Sequence, residues 1–190
     1  MRRVLRVLGG SLIAGGFIVL AYVAWLLWGT GIYTGQAQGD LRDEFNRRVE
    51  SNEPTRPVAL AGDAIAVLEI PKIDVDVVVV EGTALDDLKR GPGHYTETAY
   101  PWQDKGTVGI AGHRTTYGAP FWSLDKLRKG DTMFLRTERG DFRYQVTKLE
   151  EVSPTEVSVL DPSKEPTLVL TTCAPRFSAA RRLIVYARRV

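Results

Sequence analysis

No charged residue occurs between Val7 and Gln38, and the apolar heart of that stretch runs from Leu8 to about Trp28. A helix of about twenty apolar residues crosses the hydrocarbon core of a bilayer. A helix buried in a globular core would show a polar face, which this stretch lacks. Arg2, Arg3 and Arg6 precede the span, so the positive-inside rule keeps the N-terminus in the cytoplasm and sends the rest of the chain outside. Tyr22, Trp25 and Trp28 read as interfacial anchors at its outer end. A cleaved signal peptide would have a shorter apolar region, about 7–15 residues, with small residues close behind it. Here Ala37-Gln38-Gly39 lies far past the apolar run. The reading is a cytoplasmic tail over 1–6 and a retained single-pass anchor over 7–28.

Residues 29–62 carry Gly29, Gly31, Gly35, Gly39, Pro54 and Pro57 around a charged run, Asp40 to Glu50. This composition predicts an extracytoplasmic stalk holding a domain off the membrane. From 63 onward β-branched residues dominate. Ala64–Ile70 and Ile73–Val80 read as strands around Pro71, and Ala84–Arg90 as a short helix capped by Thr83. Thr107–Gly112, Thr132–Thr137, Asp141–Leu149, Thr167–Thr172 and Arg182–Arg188 read as further strands, with Glu138-Arg139-Gly140 as a hairpin turn. The apolar face of Phe121–Leu127 has helical spacing. About eight strands with short helical pieces predict one mainly β domain over 63–190, a closed eight-stranded barrel.

The net charge of +2 among scattered lysines and arginines argues against nucleic-acid binding. With one cysteine, Cys173, and two histidines, His94 and His113, no zinc spacing can be formed. Asp74, Asp76, Glu97 and Asp104 form no calcium-ligand pattern. No metal and no cofactor is expected. Cys173 and His113 each follow a predicted strand, so one rim of a barrel can bring thiol and imidazole together. Thiol chemistry needs that pairing: the thiolate attacks, and the imidazole sets its protonation and then protonates the leaving amine. Gly112 is expected to leave room beside the ring. An acyl-transfer intermediate also needs a donor at its oxyanion. Arg181 and Arg182 open the last strand, and alternation allows only one to face the site; spacing does not say which. His94, in Gly91-Pro92-Gly93-His94-Tyr95, reads as a turn or rim residue.

Cys173 after Leu170-Thr171-Thr172, His113 in Ala111-Gly112-His113-Arg114, and Arg182 in Arg182-Leu183-Ile184-Val185 together resemble the sortases, most of all the class E group of actinobacteria. The similarity spans residues from about 64 to 190 and agrees with the anchor. The Thr-Leu-x-Thr-Cys signature of that family stands here as Val169-Leu170-Thr171-Thr172-Cys173, with Val169 at its first position. The resemblance implies an eight-stranded barrel and a cysteine transpeptidase. It implies that Cys173 cleaves a sorting motif, Leu-Ala-x-Thr-Gly or Leu-Pro-x-Thr-Gly, between Thr and Gly. The thioacyl-enzyme is then resolved by a peptidoglycan precursor or another amine. The implied partners are secreted proteins carrying a C-terminal sorting signal. Also by resemblance, Arg182 and not Arg181 is the third catalytic residue, Tyr95 is a recognition residue, and Thr172 helps shape the oxyanion site. The alternatives are a pilus-polymerising sortase and a non-catalytic β module on the same anchor. A papain-like protease would need a longer chain, and the Ser-His-Gly-x-Cys context of L,D-crosslinkers is absent.

Overall fold

The computed structural model describes residues 2–51 and 59–190. Helix α1 (Arg2–Ala24) passes through one wider helical turn (Trp25–Gly29) into α2 (Thr30–Ser51) without interruption. Eight strands follow: β1 (Ala64–Ile70), β2 (Val75–Glu81), β3 (Gly93–His94), β4 (Gly106–Ala111), β5 (Thr132–Thr137), β6 (Gly140–Val152), β7 (Pro166–Ala174) and β8 (Arg181–Arg189). They close a barrel in the order β1-β2-β3-β4-β7-β8-β6-β5, as the sequence pattern predicts. β2–β3 and β4–β7 are parallel, and the other pairs are antiparallel.

Leu68, Ile110, Leu135, Tyr144, Leu168, Leu170 and Val185 fill the interior. Phe121, Leu124 and Leu127 join this core on and beside a single 3-10 turn, Leu124–Lys126, where their spacing predicts a longer helix. The short helix α3 (Leu85–Arg90) starts one residue later than expected. Ala84 caps it, its N–H donating to Asp87 Oδ2 at 3.2 Å.

The expectation of a stalk over 29–62 meets a different arrangement. Residues 52–58, with Pro54 and Pro57, lie outside the described residues, but α2 is packed on the barrel. Leu41 and Phe45 are buried against Ala64, Val67, Val78 and Val80, on the outer face of β1 and β2. This explains why Val77–Val80 is apolar without alternation: Val79 faces the interior, and Val78 and Val80 face α2. Gln38 acts as an extra backbone partner for β2. Its side chain accepts from Val78 N–H at 2.7 Å and donates to Val78 O at 3.0 Å and Arg90 O at 2.9 Å. Thr34 donates to Lys89 O, and Arg48 donates to Ala64 O and pairs with Glu138.

Candidate active site

Leu168, Leu170 and Ala174 of β7 point into the core. Alternation puts Val169, Thr171 and Cys173 on the outer face. Cys173 is half-buried and free of any disulfide. Its register partner on β8 is Arg182, whereas Arg181 is opposite Ala174. Directly opposed residues share a face, so Arg182 lies beside Cys173. Register thus sets Arg182, and not Arg181, on the Cys173 face of the sheet. The Arg182 guanidinium donates to Ala179 O and Arg181 O, both at 3.1 Å, along the turn into β8. Arg181 instead donates to Glu151 O.

β4 brings His113 to the same level. Ala111 is opposite Thr171, and Gly112 N–H continues the ladder to Thr171 O at 3.1 Å. Thr172 is buried, and its hydroxyl donates to Gly112 O at 2.7 Å. On the other side of His113, Arg114 Nη1 donates to Cys173 O at 3.1 Å. Both neighbours of the histidine are therefore tied to the Thr172-Cys173 segment. The His113 ring lies 4.9 Å from the Tyr117 ring, and its Nε2 is buried with no hydrogen-bond partner among the described residues. Burial holds its pKa below the usual imidazole value. The folded protein thus binds this proton less readily than the unfolded chain. Stability from this group is full above about pH 6.5 and falls as pH drops below it. Chemical denaturation at pH 8 and pH 5.5 should show a smaller acid loss in His113→Gln than in the parent. Equal losses would contradict the stated cause.

The room beside Gly112 is taken by Phe121, not by the imidazole. A Cβ on Gly112 would come within 2.5 Å of the Phe121 ring. Phe121 is fully buried and cannot swing away. Gly112→Ala should therefore cost about 1–3 kcal/mol in a urea titration. A change within about 0.5 kcal/mol would show that the ring can give way.

Tyr95 shares a hydrogen bond of 3.0 Å with Thr171 Oγ1. Thr171 is two residues before Cys173, on the same face of β7. Its ring sits over Gly109, where a Cβ would come within 2.9 Å of Tyr95 Cδ2. Thr172 is turned to the opposite side of β7, and its hydroxyl holds the strand that carries His113. On the outer face of β7, Thr107, Thr167, Val169, Tyr186 and Val159 line a groove toward the start of the strand, away from Cys173.

His94 is not a rim residue but fully buried. Its Nδ1 meets Glu81 Oε2 at 3.0 Å, and its Nε2 meets Ala99 O at 3.0 Å and Thr98 Oγ1 at 3.1 Å. Thr98 Oγ1 in turn donates to Tyr95 O and accepts from Gly109 N–H. This network anchors the loop that presents Tyr95. Nothing in the Gly-Pro-Gly context signals it, because Glu81 is distant in sequence.

Sequence reasoning also assigned no part to Arg114, although it stands in the quoted His113-Arg114 pair. Only 5% of Arg114 is exposed, and its Nη2 lies 3.2 Å from Asp125. Arg176 donates to both oxygens of Asp125, at 2.7 and 2.9 Å. Asp125 therefore clips the segment after His113 to the β7–β8 loop after Cys173. Arg114 and Arg176 thus share one carboxylate beside the segments that carry His113 and Cys173. No group of three potential metal ligands occurs among the described residues.

The chain is similar to known proteins in sequence and fold. A family model described as the Sortase domain matches residues 68–190. The curated sortase SrtE1 of Streptomyces coelicolor is 35% identical over 97% of this chain, and the chain spans 57% of that protein's length. A Clostridium perfringens sortase D5 transpeptidase superposes with a TM-score of 0.74 at 31% identity, covering 82% of this chain and 99% of that one. A crystal structure of sortase E1 from Streptomyces coelicolor with a tripeptide in its active site gives 0.63 at 38% identity, covering 67% of this chain and 88% of that one.

Proposed function

The chain belongs to the sortase family of cysteine transpeptidases and is most like class E, and on that premise we propose that Cys173, His113 and Arg182 cleave a C-terminal sorting motif and transfer the released acyl group to an amine. One observation carries this reading. The bonds Thr172–Gly112 and Arg114–Cys173, with the Cys173–Arg182 register, tie together the three segments that carry these residues, and so support a shared site.

The Cys173 thiol transfers its proton to the buried, unpartnered Nε2 of His113, and the thiolate Sγ attacks the threonine carbonyl. Arg182 turns from the carbonyls of its own turn to the developing oxyanion, assisted by the backbone beside Thr172. The His113 imidazolium returns the proton to the departing glycine nitrogen, leaving a threonyl thioester on Cys173. An incoming amine attacks the thioester carbonyl and loses a proton to His113; the C–S bond breaks as the amide forms, and the His113 imidazolium returns that proton to the Cys173 thiolate. The motif peptide lies along the outer face of β7 with Tyr95 over its residues before threonine.

In this reading residues 7–28 anchor the protein in the cell membrane with the N-terminus inside. The substrates are exported proteins with Leu-Ala-x-Thr-Gly or Leu-Pro-x-Thr-Gly signals, and the acceptor is a cell-wall amine. Support for the anchor comes from an apolar helix, Arg2–Ala24, with mean hydropathy 2.1 in its best window. The test is intact-mass spectrometry of the full chain in detergent with each motif peptide. The expected result is a mass gain equal to the peptide acylated through threonine, mapped to Cys173 and released by an added amine. A folded protein that gains no adduct from either peptide would overturn the reading.

A further inference from the structure

Helices α1 and α2 are continuous through the wider turn Trp25–Gly29, so the start of α2 sets the height of the barrel above a bilayer. Thr30 stands two residues beyond Trp28, where the apolar run ends, a rise of about 3 Å. Thr30 Oγ1 accepts the N–H of Tyr117 at 3.1 Å. Gly31 faces Gly118, where a Cβ on Gly31 would lie 3.7 Å from the Gly118 nitrogen. The loop after His113 therefore begins where the helix leaves the hydrocarbon. The polar layer of a bilayer extends only about 5–7 Å beyond it. At the far end of α2, Arg48 pairs with Glu138 of the β5–β6 hairpin, about 27 Å further along the axis.

Two large aromatic side chains are exposed near this loop. Trp122 follows Tyr117 through two tight turns, with Ala119 N–H donating to Thr116 O and Trp122 N–H to Ala119 O. Each such turn spans less than about 7 Å. Trp122 is 39% exposed, and Phe177, on the loop after Cys173, is 69% exposed. Their rings meet edge to face at 5.7 Å. Phe177 has φ +63, a left-handed backbone that a bulky side chain rarely adopts. Arg176 stacks on Trp122 at 4.8 Å, adding a cation beside the pair. Tryptophan with arginine suits the headgroup layer, and an exposed aromatic patch marks a contact surface.

We propose that the catalytic rim rests on the lipid surface, with Trp122 and Phe177 inserted among phospholipid headgroups. The occupant of the patch is the bilayer that holds α1. This rests on the reading of residues 7–28 as a membrane span. It follows that Cys173 opens near the membrane plane, on the side where a substrate or acceptor still held in the bilayer would be presented.

The test uses the full chain carrying Cys173→Ser in phosphatidylglycerol–phosphatidylethanolamine nanodiscs. One nitroxide is attached in turn at Phe177→Cys, at Ile18→Cys in α1 and at Asp141→Cys on the distal hairpin. Collision with dissolved oxygen is compared with collision with a water-soluble nickel chelate. The expected oxygen-to-nickel ratio at 177 is at least about fivefold above that at 141, approaching the ratio at 18. As a second measurement, brominated lipid should quench less fluorescence in Trp122→Phe than in the parent. A lipid-like ratio at 18 with a water-like ratio at 177 overturns the proposal and leaves the anchor intact. A label at 177 that is shielded only when motif peptide is added overturns it in favour of a substrate contact. A water-like ratio at 18 removes the anchor reading and this one with it.

Discussion

Cys173→Ala should abolish motif cleavage and adduct formation, with a loss of at least about 10^4-fold, while the melting temperature stays close to that of the parent. The reason is chemical. A thioester cannot form without the sulfur, and no other thiol exists in the chain. The arginines provide a sharper form of the same test. Arg182→Ala should slow turnover by about 10^2–10^3-fold, about 3–4 kcal/mol of barrier, with little change in peptide affinity. Arg181→Ala should stay within about threefold, because Arg181 is opposite Ala174 and bonds the far strand through Glu151 O. Steady-state cleavage of a fluorogenic motif peptide reads all three. Equal losses for the two arginines would mean that strand register does not select the oxyanion donor.

The second large effect concerns α2. Phe45→Ala should destabilise the protein by about 3–5 kcal/mol, because Phe45 is fully buried against Val67, Val78 and Val80. In a chain of this size that lowers the midpoint of thermal unfolding by about 10 °C. A fragment beginning at Asp63 should be less stable still. It loses Phe45 and Leu41 together with the Gln38 amide that occupies the Val78 backbone. Had 29–62 been a solvated stalk, Phe45→Ala would change stability by no more than about 0.5 kcal/mol. Differential scanning calorimetry of the full chain in detergent separates the two. Preparations intended for crystallography or assays should therefore begin no later than Thr30.

The barrel could be read from the sequence because each strand carries its own alternation and its own turn residues. The hairpin around Glu138-Arg139-Gly140 is one case, and the pause at Pro71 is another. α2 was misread because its contacts are sparse along the chain: Leu41 and Phe45 are two apolar positions in a charged run. The matching signal was present in β2, where Val77–Val80 is apolar without alternation and so demands cover on both faces. His94 was misplaced for a related reason. A glycine-rich context suggests a turn, and only the meeting of β2 with β3 reveals that Glu81 waits beside it. Arg114 went unassigned because its partners, the Cys173 carbonyl and Asp125, come from two other segments.

The chemistry available to this protein was determined by the sequence alone. One sulfur, two imidazoles and an arginine pair at a strand start leave few combinations, and an uncharged span of this length leaves few destinations. Which combination assembles was decided by the tertiary structure. Register across β7 and β8 set Arg182 opposite Cys173, the parallel pairing of β4 with β7 tied the segment of His113 to that of Cys173, and burial set His94 against Glu81. Residue types are local properties of a chain, whereas register, level and burial arise only when distant segments share a sheet.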